Sequence, residues 1–303
     1  MPVAPSGTQV QLVLGDARAV VVEVGGGLRT YDVAGRPVVD GYGEQELATA
    51  GRGQVLLPWP NRVRDGRWSW RGQDLQLPLT EVAGANAIHG LTRWVPWQLT
   101  AATPTEASWA HVLHPQPGWP GTLRCTTTYT LWPHGLAVAM TAQNVGSTDC
   151  PLAVGMHPYL SAVGPVDDGV LTLPADRCAP VDERGLPTAA IDVAGTGYDF
   201  RAGRRVGADR LDLPFTGLTR SADGLATASW LDGDRKVELW VDGAFGWLHV
   251  FTGDAVPQVE RRRRGIAIEP MTAPAGALTS GEDLVVLAPQ QTWTGRWGLR
   301  VRT

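Results

Sequence analysis

The chain has 303 residues, 43 % of them hydrophobic, and a formal net charge of -4. That is enough apolar material for a large core, and the weak acidity excludes a surface built to hold nucleic acid or anionic lipid. No stretch approaches the roughly 18 apolar residues of a spanning helix, and no basic segment followed by an apolar core opens the chain, so a cytoplasmic location is expected. Cys125, Cys150 and Cys178 are odd in number and lack CxxC spacing, which predicts reduced buried thiols rather than a disulfide framework or a zinc site. Thirteen tryptophans stand against four Phe and five Tyr. Most are expected to fill a wide core, with one or two left to stack on the C–H face of a sugar.

In chain order, residues 8–14 alternate polar and apolar side chains and predict a strand. Residues 19–24 are a Val-rich run that suits a strand buried on both faces, and residues 44–49 are expected to form a short helical turn. The turn-rich segment Pro58-Trp59-Pro60-Asn61-Arg62 leads into a predicted β-hairpin over residues 68–77. Gly84-Ala85-Asn86-Ala87-Ile88-His89-Gly90 follows, and its glycines permit close backbone approach to a ligand. His111 and His114 are placed in a Pro-rich turn region. Residues 124–131 and 136–145 alternate as strands, with His134 in the turn between them. Residues 176–205 read as a long surface excursion. Residues 236–241 alternate again, His249 lies in a further strand, and Arg261 to Arg264 form a run of four arginines best read as a solvated turn. Many short strands, frequent Gly and Pro, and almost no helical period predict an all-β fold, antiparallel sheets packed as a sandwich. No linker or repeat divides the chain, so residues 1–303 are expected to form one domain.

Two segments present single proton-carrying groups on apolar strands: Val154-Gly155-Met156-His157-Pro158-Tyr159 and Ile266-Ala267-Ile268-Glu269-Pro270-Met271. The proline after His157 removes a ladder donor, which can end pairing and aim the side chain into a cleft. Burial of Glu269 would raise its pKa toward the range of a general base. Arg62 offers a fork of donors to hydroxyls or a carboxylate. Together with His89 these groups suit proton transfer on a neutral polar substrate. His111, His114, His134 and His249 receive no catalytic role.

These segments resemble the aldose 1-epimerase (mutarotase) family. The likeness rests on Pro58-Trp59-Pro60-Asn61-Arg62, Asn86-Ala87-Ile88-His89-Gly90-Leu91, Thr196-Gly197-Tyr198-Asp199-Phe200-Arg201, His157-Pro158-Tyr159, Ala267-Ile268-Glu269-Pro270 and the tail from Ser280 to Gly295. It spans essentially the whole chain. The resemblance implies a large antiparallel β-sandwich of the galactose mutarotase-like type. It implies interconversion of the α and β anomers of a free aldohexose such as glucose or galactose, without cofactor or metal. Glu269 would be the general base on the anomeric hydroxyl and His157 the general acid at the ring oxygen. Arg62, His89 and Asp212 would bind substrate, with Asn61 and Tyr159 beside them; Asp199 and Asp242 are alternatives to Asp212. The acid is expected to be charged at neutral pH, its pKa raised by a neighbouring carboxylate, with acid and base facing each other across the sugar. The expected partner is a small sugar, the expected state a monomer or weak dimer, with neither nucleic acid nor membrane involved. The segment Pro274-Ala275-Gly276-Ala277-Leu278 departs from the family's acidic and aromatic pattern. Alternatives are a hexose-6-phosphate 1-epimerase that uses the arginine run, a non-catalytic carbohydrate-binding module, and a glycoside hydrolase using Glu269 with Asp212.

Overall fold

The alternating segments fold as strands because alternation puts every second side chain on one face. Leu123–Trp132 and Gly135–Asn144 pair antiparallel along their length, from Leu123 opposite Asn144 to Trp132 opposite Gly135. Leu123, Cys125, Tyr129, Leu136, Val138 and Met140 point into the core, while Arg124, Thr126 and Thr128 reach the surface in whole or part. A computed structural model supplies this structure and describes residues 3–302.

A nine-stranded sheet grows around that hairpin, in the order Gln98–Ala102, Glu106–Leu113, Leu123–Trp132, Gly135–Asn144, Thr292–Arg302, Arg235–Val241, Ala226–Asp232, Val170–Thr172, Arg204–Arg205. A second sheet has eight strands. Seven follow the order Ile191–Asp192, Ala175–Cys178, Asp212–Leu218, Trp247–Phe251, Gly265–Met271, Gly155–Met156, Val55–Leu56, and Tyr159–Ser161 also pairs with Gly265–Met271. The two sheets share one apolar core and form an antiparallel β-sandwich. Tyr129 of the first sheet lies 4.0 Å from the Met156 sulfur of the second, and its hydroxyl donates to the Gly26 carbonyl at 2.6 Å. Trp59, Trp68, Trp97, Trp109, Trp119, Trp230, Trp240, Trp247 and Trp297 are buried, so the core-filling reading holds for most of the tryptophans. All three cysteines are buried and free.

Several local expectations need correction. Residues 44–49 form no helix; the Gly43 amide bonds the Glu46 carboxylate instead. His111 lies within the strand Glu106–Leu113, opposite Cys125, not in a turn. The stretch 176–205 is not wholly an excursion, since most of Ala175–Cys178 pairs with Asp212–Leu218. The residues 274–278 end in the α-helical turn Ala277–Ser280. The hairpin forms as expected, with Arg67–Trp70 paired to Gln73–Gln76 across Arg71 and Gly72, both at positive φ. No described helix is long and apolar enough to cross a membrane.

Candidate functional site

Every residue of Gly265–Met271 is buried, and Glu269 is 1 % exposed. Its neighbours on the sheet build the cleft. On one side His249 stands directly opposite Glu269 in Trp247–Phe251. On the other, Gly155 pairs with Met271 and Tyr159 with Ala267. Between these two pairings His157 and Pro158 fall out of register with Gly265–Met271, where Pro158 has no N–H to donate. The His157 imidazole is thereby turned beside Glu269, with Nε2 3.4 Å from Oε1. His157 Nδ1 and Glu269 Oε2 are buried without hydrogen-bond partners.

The facing wall is set by backbone geometry. Asn61 and His89 both adopt left-handed φ, 56° and 61°. This costs a non-glycine residue about 1–3 kcal/mol and persists only where surroundings impose it. The His89 amide donates to the Asn61 carbonyl at 2.9 Å, and the Asn61 amide donates to His89 Nδ1 at 3.1 Å. Nδ1 is therefore an acceptor, and the His89 proton sits on Nε2. Asn61 Oδ1 accepts from the Arg62 amide at 2.9 Å, which leaves its Nδ2 3.4 Å from His249 Nδ1. His249 Nε2 then donates to Asp212 Oδ1 at 2.7 Å. Arg62 is forked onto Glu81 at 3.0 to 3.1 Å, with Nη1 3.7 Å from Asp212 Oδ2.

Burial dominates the electrostatics. It pushes the Glu269 carboxyl up to about 7, with Asp212 adding to the rise and the charges of His249 and Arg62 opposing it. Burial also drives His157 down to about 3, helped by His249, Arg52 and Arg93 and opposed by Asp212. This direction is opposite to the rise expected from a neighbouring carboxylate, because desolvation outweighs it and favours the uncharged form of the pair. His89 is held well below the ordinary histidine value, again mainly by burial. Asp212 lies below the usual range. Burial works to raise it, but the His249 hydrogen bond and the Arg62 guanidinium outweigh it. Its side chain, 40 % exposed, stands at the open end of the cleft.

The structure brings Glu269, His157, Arg62, His89, Asp212, Asn61 and Tyr159 around one cavity of about 610 Å³. It does not bring Asp199 or Asp242 there. Asp199 pairs with Arg201, and Asp242 accepts from the amides of Ala244 and Arg296. Nor does it bring any of the four arginines: Arg263 binds Asp167 and Asp254, Arg262 donates to the Val256 carbonyl, and Arg261 donates to the Gly41 carbonyl. Sequence reasoning gave His249 no role, yet it lines the cavity; its imidazole breaks the apolar run Trp247-Leu248-His249-Val250-Phe251, the signal that also marked His157. Glu81 and Arg93 line the cavity as well, and nothing local distinguishes them. Trp94, 52 % exposed, is the tryptophan left on the cavity wall. Among the described residues, no group of three or more His, Cys, Asp or Glu side chains is disposed to hold a metal ion.

The antiparallel β-sandwich is of the galactose mutarotase-like type. The aldose epimerase homologue of C. elegans superposes with a TM-score of 0.86 at 18 % identity, covering 97 % of this chain and 98 % of that one. Galactose 1-epimerase from Lactobacillus acidophilus NCFM gives 0.79 at 23 % identity, over 97 % and 94 %. The family model for aldose 1-epimerase matches residues 9–300, and the chain belongs to that family. Among its relatives, the uncharacterised protein YihR of Escherichia coli K12 is 34 % identical over 93 % of this chain and 89 % of its own length. The aldose 1-epimerase of the same organism is 27 % identical over 67 % of this chain and 63 % of its own length.

Proposed function

We propose that this protein is an aldose 1-epimerase acting on a free aldohexose, with Glu269 as general base and His157 as general acid. The observation that carries this reading is the adjacency of the two groups, 3.4 Å apart at the buried end of the cavity. The expected arrangement across the sugar gives way to one side by side, and the chemistry explains why. The anomeric oxygen and the ring oxygen are both bonded to C1, so their base and acid belong at one edge of the ring. Glu269 takes the anomeric hydroxyl proton, the C1 carbonyl forms, the C1–O5 bond breaks, and O5 takes a proton from His157. Rotation about C1–C2 and the reverse steps give the other anomer. Each group contributes about 10²–10⁴-fold.

The uncharged pair and the carboxylate–imidazolium pair hold the same number of protons. Internal transfer from Glu269 to His157 therefore reaches the working state without uptake from water. His89 Nε2–H, the Arg62 guanidinium and the Asp212 carboxylate offer donors and an acceptor to the sugar hydroxyls and ring oxygen. Asn61 orients its neighbours through hydrogen bonds already made, Tyr159 backs the His157 ring, and Trp94 offers a face to sugar C–H groups. The continuous core supports one domain. A hexose 6-phosphate is the weaker reading, because Arg261, Arg262 and Arg263 are engaged by carboxylates and carbonyls and none of the four arginines lines the cavity. A purely binding module would not need the acid–base pair.

The test is polarimetry or NMR on freshly dissolved α-D-glucose, α-D-galactose and glucose 6-phosphate. Accelerated anomerisation of a free sugar is expected, and no acceleration of any of the three would refute the reading.

A further inference from the structure

One buried cation has no part in the chemistry above. Arg52 is 1 % exposed. Its Nε and Nη2 lie 3.1 and 2.7 Å from Asp40 Oδ2, and Nε also donates to the Asp40 carbonyl at 3.0 Å. Arg261 approaches the other Asp40 oxygen at 3.5 Å. The guanidinium carbon sits 4.4 Å from the centroid of the Tyr159 ring. Against the same ring stacks the His157 imidazole, with centroids 4.9 Å apart and planes 11° from parallel. Tyr159 is tied down in turn, its hydroxyl donating to the Ala50 carbonyl at 2.9 Å.

An acid–base imidazole is ordinarily oriented by a hydrogen bond on the ring nitrogen that does not react. His157 Nδ1 has no such partner, so packing must fix its plane. That packing comes from residues 50–54. The Gly53 amide donates to the His157 carbonyl at 2.9 Å, and the His157 amide to the Gln54 carbonyl at 3.1 Å. A Cβ at Gly51 would fall 2.3 Å from His157 Cδ2, so the loop backbone lies against the ring. Asp40 holds Arg52, Arg52 and Ala50 hold Tyr159, and Tyr159 holds the imidazole.

We propose that Arg52 is a positioning residue for His157, fixing the plane of the imidazole through the Tyr159 ring. The inference rests on His157 as the acid of the reaction above. Arg52 also places a cation near that ring. The charged or titratable groups around His157 are Glu269, His89 (ring centroids 5.3 Å apart), Tyr159, His249, Asp212, Arg93 and Arg52. Removing Arg52 eases imidazolium formation, whereas loss of a merely structural side chain would not.

The experiment compares Arg52→Met, Arg52→Lys and His157→Ala with the parent protein, by polarimetry across pH. For Arg52→Met, kcat should fall about 10- to 100-fold through misplacement of the acid, with KM within about twofold, since no sugar contact is lost. The acid limb of its pH–kcat profile should move to higher pH. Arg52→Lys keeps the charge and loses the plane, so kcat should fall while the acid limb stays. Parent-like kcat and acid limb in Arg52→Met, with His157→Ala inactive, overturns this inference alone. An active His157→Ala overturns the reading beneath it. Should Arg52→Met not fold, Arg52→Lys and Tyr159→Leu decide: parent-like kcat in both overturns the proposal, and a fall in kcat without a rise in KM upholds it.

Discussion

In the nine-stranded sheet, Leu123–Trp132 and Gly135–Asn144 run ten residues each without a break. Around Glu269 the eight-stranded sheet is made of pieces: Val55–Leu56, Gly155–Met156 and Tyr159–Ser161 have two, two and three residues. A continuous ladder satisfies its backbone and sends side chains alternately to core and water, leaving little for chemistry. A broken ladder frees a residue such as His157 to turn aside. Here the buried atoms left without partners include titratable ones, His157 Nδ1 and Glu269 Oε2. One sheet carries the fold's regularity, and the other departs from it where the proposed chemistry sits.

That division can be broken at its sharpest point first. Glu269→Gln and His157→Ala should each lower kcat by about 10²–10⁴-fold. The double variant should be little worse than either, because both serve one proton transfer; additive losses by polarimetry would separate their roles. On the other sheet, Trp297→Ala removes a fully buried ring and should cost about 3–5 kcal/mol by denaturant titration, with kcat per folded molecule unchanged.

Smaller effects sharpen the contrast through pH. The folded Glu269 carboxyl holds its proton more tightly than the unfolded one, its pKa being raised to about 7 by burial. The stability it contributes is present below its ordinary value and lost as pH rises through about 7. Glu269→Gln should abolish that loss, so above neutrality the inactive variant should be the more stable by on the order of 3 kcal/mol. A variant no more stable than the parent at high pH would show that the carboxyl is not desolvated. For the same reason kcat/KM of the parent should decline above about pH 7, as the single shared proton leaves the pair. The smallest effect belongs to the arginine run. Arg262→Ala should change kcat/KM for glucose by less than about twofold, at low or high salt. A strong loss confined to glucose 6-phosphate would reverse the choice of substrate.

The long strands were legible because alternation over eight or ten residues is unambiguous. Glu269 and His157 were legible because each breaks an apolar run. His249 breaks one too, but its meaning lies in its position opposite Glu269, a pairing between residues 20 apart that no local pattern encodes. Arg52, flanked by Gly51 and Gly53, has the look of a solvated turn and is instead buried on Asp40. The direction of the His157 shift was not legible, because its sign depends on how completely water is excluded, and that follows from the assembled cavity rather than from the carboxylate beside it.

The cleft draws on chain segments far apart, with Val55–Leu56 beside Gly155–Met156 and that strand beside Gly265–Met271. Closing loops of this length is slow compared with forming hairpins such as Leu123 to Asn144, so the candidate site should be among the last parts of the molecule to assemble. During refolding from denaturant, tryptophan fluorescence from the nine-stranded sheet should recover before the proposed anomerase activity does. Activity would then serve as a clock for the final closure of the sandwich.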